Sequence, residues 1–376
     1  MHVAQLNFLP APPGLGIEAL LERWPSVADI ADLVATSGVG VSVLQAASQT
    51  GHLVRNGVDY RFVDVGGARS AEARGRRFAA ALAGSGVDVL HAHGLAFVEE
   101  ACTVAGCLSP ASPLLLQDHA DRLPRWWRRP HHRRRFATAS GVAFTSLEQA
   151  RPFIAAGMFG AATRLFAIPE SSSRFTPGDR VGARAASGLH GDPCVLWVGR
   201  LNPGKDPLTV LDGCARAALR LPGLRLWCAY GAAPLLDEVR ARIDGDNRLT
   251  GRVHLLGEVP HARIETLMRA ADLFVSASRA EGSGYAAMEA LACGLTPVLT
   301  DIPAFRALTG NGRVGHLWPC GDAMRLADAL IAAAVERTPS ARIRAHFDAT
   351  LSFEAVGRLW ADAYARILDE RSRRVA

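Results

Sequence analysis

Residues 194–217 read CVLWVGRLNPGKDPLTVLDGCARA. The apolar run Cys194–Gly199 has the length of a strand. The Gly- and Pro-rich stretch that follows cannot extend it, and Pro207 is suited to the first turn of a helix, where its missing N–H is no loss. Beyond it Leu208, Leu211 and Ala215 recur at helical spacing. A buried strand that passes through a tight turn into a helix is half of a βαβ unit. Such units build parallel sheets covered on both faces.

The same alternation extends in both directions. In the second half strands are expected near 225–230, 253–257, 272–277 and 296–300, with helices near 207–220, 234–243, 261–270, 284–293 and 322–335. In the first half strands are expected near 2–8, 41–46, 60–65, 87–92, 113–117, 141–145 and 164–168, with helices such as 27–37 and 71–84. The pattern is one of parallel βαβ units rather than hairpins. Between the halves, SSSRFTPGDRVGARAASG at 171–188 lacks periodicity and reads as linker and domain entry. The expected division is a first domain over 1–172 and a second over 173–352. FEAVGRLWADAYARILDERS at 353–372 is an amphipathic helix with no strand after it. Two doubly wound sheets would open a cleft at the carboxyl ends of their strands.

Composition narrows the class. With 376 residues, 49% of them hydrophobic, the chain can bury two cores and is neither disordered nor disulfide-stapled. The seven cysteines are scattered, without CxxC spacing or a histidine cluster, and read as core residues in a reducing compartment rather than as zinc ligands. MHVAQLNFLP lacks the charged and apolar regions of a secretory signal, and no apolar run is long enough to span a bilayer. A cytoplasmic location is expected.

The formal net charge of +6 is local. RLPRWWRRPHHRRR at 122–135 holds seven Arg and no acid, and the remaining 35 basic and 36 acidic residues sum to −1. The segment reads as a solvated or acceptor-lining face, or as a peripheral contact with an anionic membrane at its inner face. Pro130 weakens the membrane reading, and no accompanying motif supports nucleic acid. Of 42 basic residues only Lys205 is Lys.

Lys205 and Arg200 project from the turn after Cys194–Gly199 and together suit a phosphate clamp, the alternative being solvated surface charge. In SRAEGSGYAAMEALACG (278–294), Gly282 and Gly284 allow close backbone approach and open a helix whose free N–H groups suit an anion. Glu289 stands on that otherwise apolar helix with no partner among its neighbours at i±3 and i±4. It therefore suits hydrogen bonds to a polyhydroxyl ligand such as a ribose, or an open helix face. The turns at Gly257–Pro260 and Ala229–Gly231 could hold a base through backbone groups, or be ordinary strand ends.

Taken in order, GRLNPGKDP, LLGEVP, SRAEGSGYAAMEALACG and TDIPAFRALTGNGRVGHLWP resemble the nucleotide-sugar domain of GT-B glycosyltransferases of the retaining family 4 type (group 1). Glu281 and Glu289 reproduce that family's E-x7-E spacing. The resemblance implies two Rossmann-like domains facing each other across a cleft, with the last helix, 353–376, packing back on the first. It implies that Arg200 and Lys205 hold the donor diphosphate and that Glu289 binds the ribose. Glu281, with Gly282, Ser283, Gly284 and Tyr285, would contact the sugar, and Gly257 would lie on the donor side.

In the first half, His93 and His119 each follow a strand. The family commonly places an aromatic or histidine contact to the donor sugar at the second position, so His119 joins Glu281, Arg200 and Lys205 as a catalytic candidate. Either histidine could instead be structural. Two segments depart from the family: Pro12-Pro13-Gly14-Leu15-Gly16 replaces its Gly-Gly acceptor loop, and Pro169-Glu170-Ser171 replaces Asn-Gly-Val-Asp. Gly14, Gly16, His93 and His119 are the candidates on the acceptor or sugar side.

The expected activity is retaining, metal-independent transfer of a hexose from a nucleoside diphosphate sugar, first of all a UDP-sugar, to a hydroxyl acceptor. The nucleotide sugar is a co-substrate, and no cofactor is expected. The alternatives are a nucleotide-sugar epimerase or phosphorylase on the same fold, and a non-catalytic binding scaffold. Asp244-Gly245-Asp246 resembles a metal-binding DxD only superficially, because it falls in a polar loop.

Overall fold

The computed structural model describes residues 1–108 and 112–375, with side chains as far as residue 373. It divides into two units, Met1–Ser172 with Phe353–Ala376, and Ser173–Ser352.

The first unit is built on strands β1 (His2–Asn7), β2 (Gly40–Ala47), β3 (Gly51–Arg55), β4 (Val58–Asp64), β5 (Val89–His93), β6 (Leu114–Gln117), β7 (Gly141–Phe144) and β8 (Arg164–Ala167). Their order is β3-β4-β2-β1-β5-β6-β7-β8. Helices α1 (Ile17–Arg23), α2 (Pro25–Ala35), α3 (Ala71–Ala81), α4 (Val98–Cys107), α5 (Arg129–Phe136) and α6 (Leu147–Ala155) follow the strands. Neighbouring residues of one strand enter opposite cores. Val3, Val89 and Leu115 join one cluster, and Ala4, Leu90 and Leu116 the other. A sheet buried on both faces requires this, and it explains why its strands read as unbroken apolar runs.

The second unit contains β9 (Cys194–Gly199), β10 (Arg225–Tyr230), β11 (Val253–Gly257), β12 (Leu273–Ser276), β13 (Thr296–Thr300) and β14 (His316–Trp318). All pair in parallel, in the order β11-β10-β9-β12-β13-β14. Counted within the unit this is 3-2-1-4-5-6, the order of dinucleotide-binding sheets. The helices are α7 (Arg180–Ser187), α8 (Pro207–Ala217), α9 (Leu236–Asp244), α10 (His261–Ala270), α11 (Tyr285–Ala292), α12 (Pro303–Thr309), α13 (Ala323–Val335) and α14 (Ser340–Thr350). The chain then returns to the first unit as α15 (Phe353–Val375), whose Val356, Trp360, Tyr364 and Ile367 enter the core beside α2.

Three expectations are corrected. The first sheet is not purely parallel, because β3 and β4 form an antiparallel hairpin at its edge. Asn56 (φ 53°) and Gly57 (φ 76°) make its turn, and two successive positive φ values are what a two-residue hairpin of this hand demands. Residues 171–188 are not all linker. Asp179 caps α7 by accepting from Val181 N and Gly182 N, and Gly188 (φ 74°) ends it. The helix expected over 27–37 begins earlier, at Pro25, and α1 precedes it, directly after the loop that holds Gly14 and Gly16.

Candidate functional site

In the second unit the chain runs from β9 to β10 on one side and later crosses to β12 on the other. The loops after β9 and β12 therefore leave the sheet in opposite directions, and open α/β sheets bind ligands in the crevice between such loops. These are the loops at 199–206 and 277–284. They carry Arg200 and Lys205 on one side and Glu281, Gly282, Ser283 and Gly284 on the other.

Three contacts stitch the loops together. Arg279 N donates to Gly204 O at 2.9 Å, the Arg279 guanidinium donates to Asp206 Oδ2 at 2.7 Å, and Lys205 Nζ donates to Glu281 Oε1. Asp206 (φ 47°) also caps α8, where Pro207 occupies the first turn. Lys205 is presented by a turn in which its N–H donates to Asn202 Oδ1 at 3.0 Å. Arg200, in contrast, is exposed and forms no ion pair among the described residues. Of the two cations expected to clamp a phosphate, Lys205 is thus engaged by a carboxylate and Arg200 stands in solvent.

Gly284 (φ 67°) sets the entry into α11, and a Cβ there would meet Phe305 Cε1 at 2.8 Å. Both the backbone and the space demand glycine. Ser283 Oγ is buried and has no hydrogen-bond partner among the described residues. Tyr285 is the first residue of α11. Glu289 is the charged residue of that helix. Its neighbours along α11 cannot pair with it, but His261 at the start of α10 can, with Nε2 2.6 Å from Glu289 Oε1. This partner was not legible from the sequence around Glu289. Gly257 (φ 72°) ends β11 beside Ala229 at the end of β10, so the two turns read as base-side candidates are adjacent. Asp246 of the DxD-like triplet is held by Arg248 at 2.6 Å, which lowers its pKa to about 2.

In the first unit β5 and β6 are neighbours, which brings His93 and His119 together with His93 Nδ1 3.1 Å from His119 Nε2. The chain of rings continues inward, His93 stacking on His91 at 4.5 Å and His91 Nδ1 lying 2.8 Å from the Tyr364 hydroxyl of α15. Outward, His119 Nδ1 lies 2.6 Å from Glu170 Oε1. Burial disfavours a charged His119, yet its hydrogen bond to Glu170, the Glu170 charge and the nearby Asp121 and Asp118 outweigh that and raise its pKa above 6.5. Burial, reinforced by the other two histidines, pushes His93 well below 6.5. One ring is disposed to carry a proton and its neighbour is not. Asp118 is raised to about 6, chiefly by burial. Its carboxylate accepts from Ala120 N and Asp121 N, and Asp121 in turn accepts from Leu95 N, Ala96 N and His119 N, so the loop is held from both ends.

Gly14 (φ 76°) and Gly16, which begins α1, lie in the loop after β1. That loop is tied to β2, with Ala11 N donating to Ala46 O at 2.8 Å and Gln45 Nε2 to Leu9 O at 2.6 Å. Asp206, Arg279, His261, Asp121 and the bond made by Glu170 were missed from sequence. Only Asp206 carried a local signal, an Asp before a proline at a helix start.

The family described as glycosyl transferases group 1 matches residues 192–335. The D-inositol 3-phosphate glycosyltransferase of Mycobacterium tuberculosis is 34% identical over 205 residues, which cover 52% of this chain and 42% of that protein. The chain therefore matches less than half the length of that relative. Among solved structures, sucrose-phosphate synthase from Thermosynechococcus elongatus superposes with a TM-score of 0.73 at 18% identity, covering 98% of this chain and 99% of the other. Anabaena Alr3699/HepE, in complex with UDP and glucose, gives 0.71 at 19% identity, with 97% and 100% covered. The chain has the GT-B fold, and within it residues 192–335 match the group 1 glycosyl transferases.

Proposed function

We propose that the protein transfers a hexose from a nucleoside diphosphate sugar, UDP-sugar first among them, to a hydroxyl acceptor, with retention at the anomeric carbon and without a metal. The observation that carries this reading is the pairing of two cations with two carboxylates between the loops after β9 and β12, Lys205 with Glu281 and Arg279 with Asp206. The solved complex of Alr3699/HepE with UDP and glucose supports the choice of base.

The demanding step is departure of the diphosphate while positive charge develops at the sugar. Arg200 meets the phosphates as a free guanidinium. Lys205 turns from Glu281 to the leaving oxygen, and the first N–H groups of α11 add their dipoles. Glu281, released from Lys205, then accepts from sugar hydroxyls, and Glu289 accepts from the ribose in place of His261. His119 is kept as the proton-donating candidate, because its hydrogen bond to Glu170 favours the charged ring. Retention follows from attack on the face that the diphosphate leaves, with no enzyme nucleophile.

Calorimetric titration of the full chain with UDP, GDP and ADP, followed by an acceptor panel with UDP-glucose, tests the reading. Tightest binding of UDP, and an α-configured product by NMR in the presence of EDTA, are the expected results. Failure of all three nucleotides to bind overturns it.

A further inference from the structure

None of the residues read as donor contacts lies in the Arg122–Arg135 segment. Of its seven arginines, Arg129 and Arg133 brace the backbone, Arg129 Nε donating to Pro124 O at 3.1 Å and Arg133 Nε to Ala156 O at 3.2 Å. The side chains of Arg122, Arg125, Arg128, Arg134 and Arg135 form no hydrogen bond or ion pair among the described residues. Seven like charges held within fourteen residues repel one another. A fold that leaves them unneutralised has room for an anion.

Three of the unpaired arginines share a cavity. Arg122, Arg125 and Arg128 line one cavity of about 460 Å³, together with Trp127 and His132 over an apolar floor that includes Phe136 and Phe153. The Arg125 guanidinium lies 5.2 Å from the centre of the Trp127 ring. His132 Nδ1 is buried and has no hydrogen-bond partner among the described residues. Leu95 and Ala96 form another wall, and their N–H groups bind the same Asp121 carboxylate that accepts from His119 N. The cavity and the His119 loop are therefore one braced assembly within the first unit.

We propose that this cavity is a second ligand site, which takes a phosphorylated sugar or polyol. The guanidinium forks hold the phosphate, the Trp127 ring covers an apolar face of the sugar, and His132 Nδ1 bonds a hydroxyl. That the ligand is the acceptor rests on the transferase reading; that the cavity binds a phosphorylated sugar does not. A bilayer fits the same arginines poorly. The sequence of α5, RPHHRRRF, is charged around its circumference, and its buried residue, Phe136, points into the core. Trp126, 73% exposed, would insert without an apolar helix face behind it.

The test titrates the full chain with glucose 6-phosphate, inorganic phosphate and glucose at low salt. Glucose 6-phosphate is expected to bind at least about tenfold tighter than inorganic phosphate, and glucose not measurably. The double variant R125A/R128A is expected to lose at least about tenfold for glucose 6-phosphate, and W127A to narrow its preference over phosphate. R125K/R128K, which keeps the charge and loses the forks, should fall between, and thermal unfolding by circular dichroism reports the folding of each variant. Equal affinity for phosphate and glucose 6-phosphate overturns the proposal, as does undiminished affinity in R125A/R128A. Co-sedimentation with phosphatidylserine vesicles in a protein that does not bind glucose 6-phosphate moves the segment to a membrane surface instead. UDP titration of the wild type stands apart: glucose 6-phosphate binding without UDP binding sinks the transferase reading and leaves this site standing.

Discussion

Lys205, the single lysine of the chain, donates its ammonium group to Glu281 on the opposite loop of the crevice, and both side chains are largely shielded from solvent. A diphosphate that takes Lys205 must displace a carboxylate, so the pair sets a competition. The two substitutions should separate. K205A removes a phosphate contact and leaves Glu281 without its cation, and is expected to weaken UDP binding by about 10- to 100-fold. E281Q frees Lys205 and removes a negative charge facing the diphosphate. It is expected to bind UDP at least as tightly as the wild type while turnover of UDP-glucose falls. Calorimetry and a turnover assay on the same preparations read both effects. Parallel losses of UDP affinity in the two variants would show that Glu281 does not compete for Lys205.

Glu289 offers a cleaner probe, because its proposed partner can be removed from the ligand. The wild type is expected to prefer UDP over 2′-deoxy-UDP by about tenfold, the range of one hydrogen bond to a charged group. E289A should bind both equally. H261A leaves the carboxylate in place without its internal partner, so it should keep the preference. A preference that survives in E289A removes the ribose assignment without touching that of Lys205.

Much of this could be read from the chain, for definite reasons. The strands were legible because sheets buried on both faces write continuous apolar runs, as in Cys194–Gly199 and Leu114–Gln117. The edge strand β3 was not, since GHLVR is mostly exposed and carries no such run. Its signal lay in the Asn56-Gly57 turn. Lys205 and Glu289 were legible as residues out of place in type or surroundings, Arg200 by its place on the turn beside Lys205, and Glu281 only through the family resemblance. Their internal partners were not, because His261 lies 28 residues from Glu289, and 76 separate Lys205 from Glu281. Local spacing carries no information about contacts that only the strand order creates.

The helix α7, read from sequence as linker, shows the same point energetically. Asp272, 3% exposed at its side chain, accepts from Arg180 at 2.9 Å and Arg184 at 2.8 Å on α7, from Arg337 at 2.8 Å, and from Cys194 N at 2.8 Å. It joins the helix to the first strand of the second unit. Because Asp272 is buried while its arginines are partly exposed, D272A should destabilise the second unit by about 2–4 kcal/mol, toward the lower side of the range for broken buried pairs. D272N keeps the shape and loses the charge, so it should fall between D272A and the wild type. Urea unfolding reads the order. Equal stability of D272A and the wild type would mean that the arginines re-pair at no loss.

The histidine chain of the first unit makes stability depend on pH in a defined direction. Burial, with the charge of His119 adding to it, lowers the pKa of His91 from 6.5 to about 3, against a smaller opposing bond from Gln117. His91 is therefore neutral in the fold at pH values where the unfolded chain protonates it. Its contribution is complete above 6.5 and is lost as pH falls toward 3. The slope is about 1.4 kcal/mol per pH unit for one such group. His119 acts with the opposite sign. Its pKa is raised, so its contribution is complete below 6.5 and is lost as pH rises through the folded value. Stability should accordingly peak near neutrality and fall on both sides for separable reasons. H91Q, which keeps a polar group beside the Tyr364 hydroxyl and cannot titrate, should lower stability at neutral pH. It should also reduce the loss between about pH 7 and about pH 5 by about 1–2 kcal/mol relative to the wild type. E170Q should leave that acid limb in place and flatten the alkaline one. Urea unfolding at the two ends of each limb measures both, and an acid limb unchanged in H91Q would mean that buried groups other than His91 carry it.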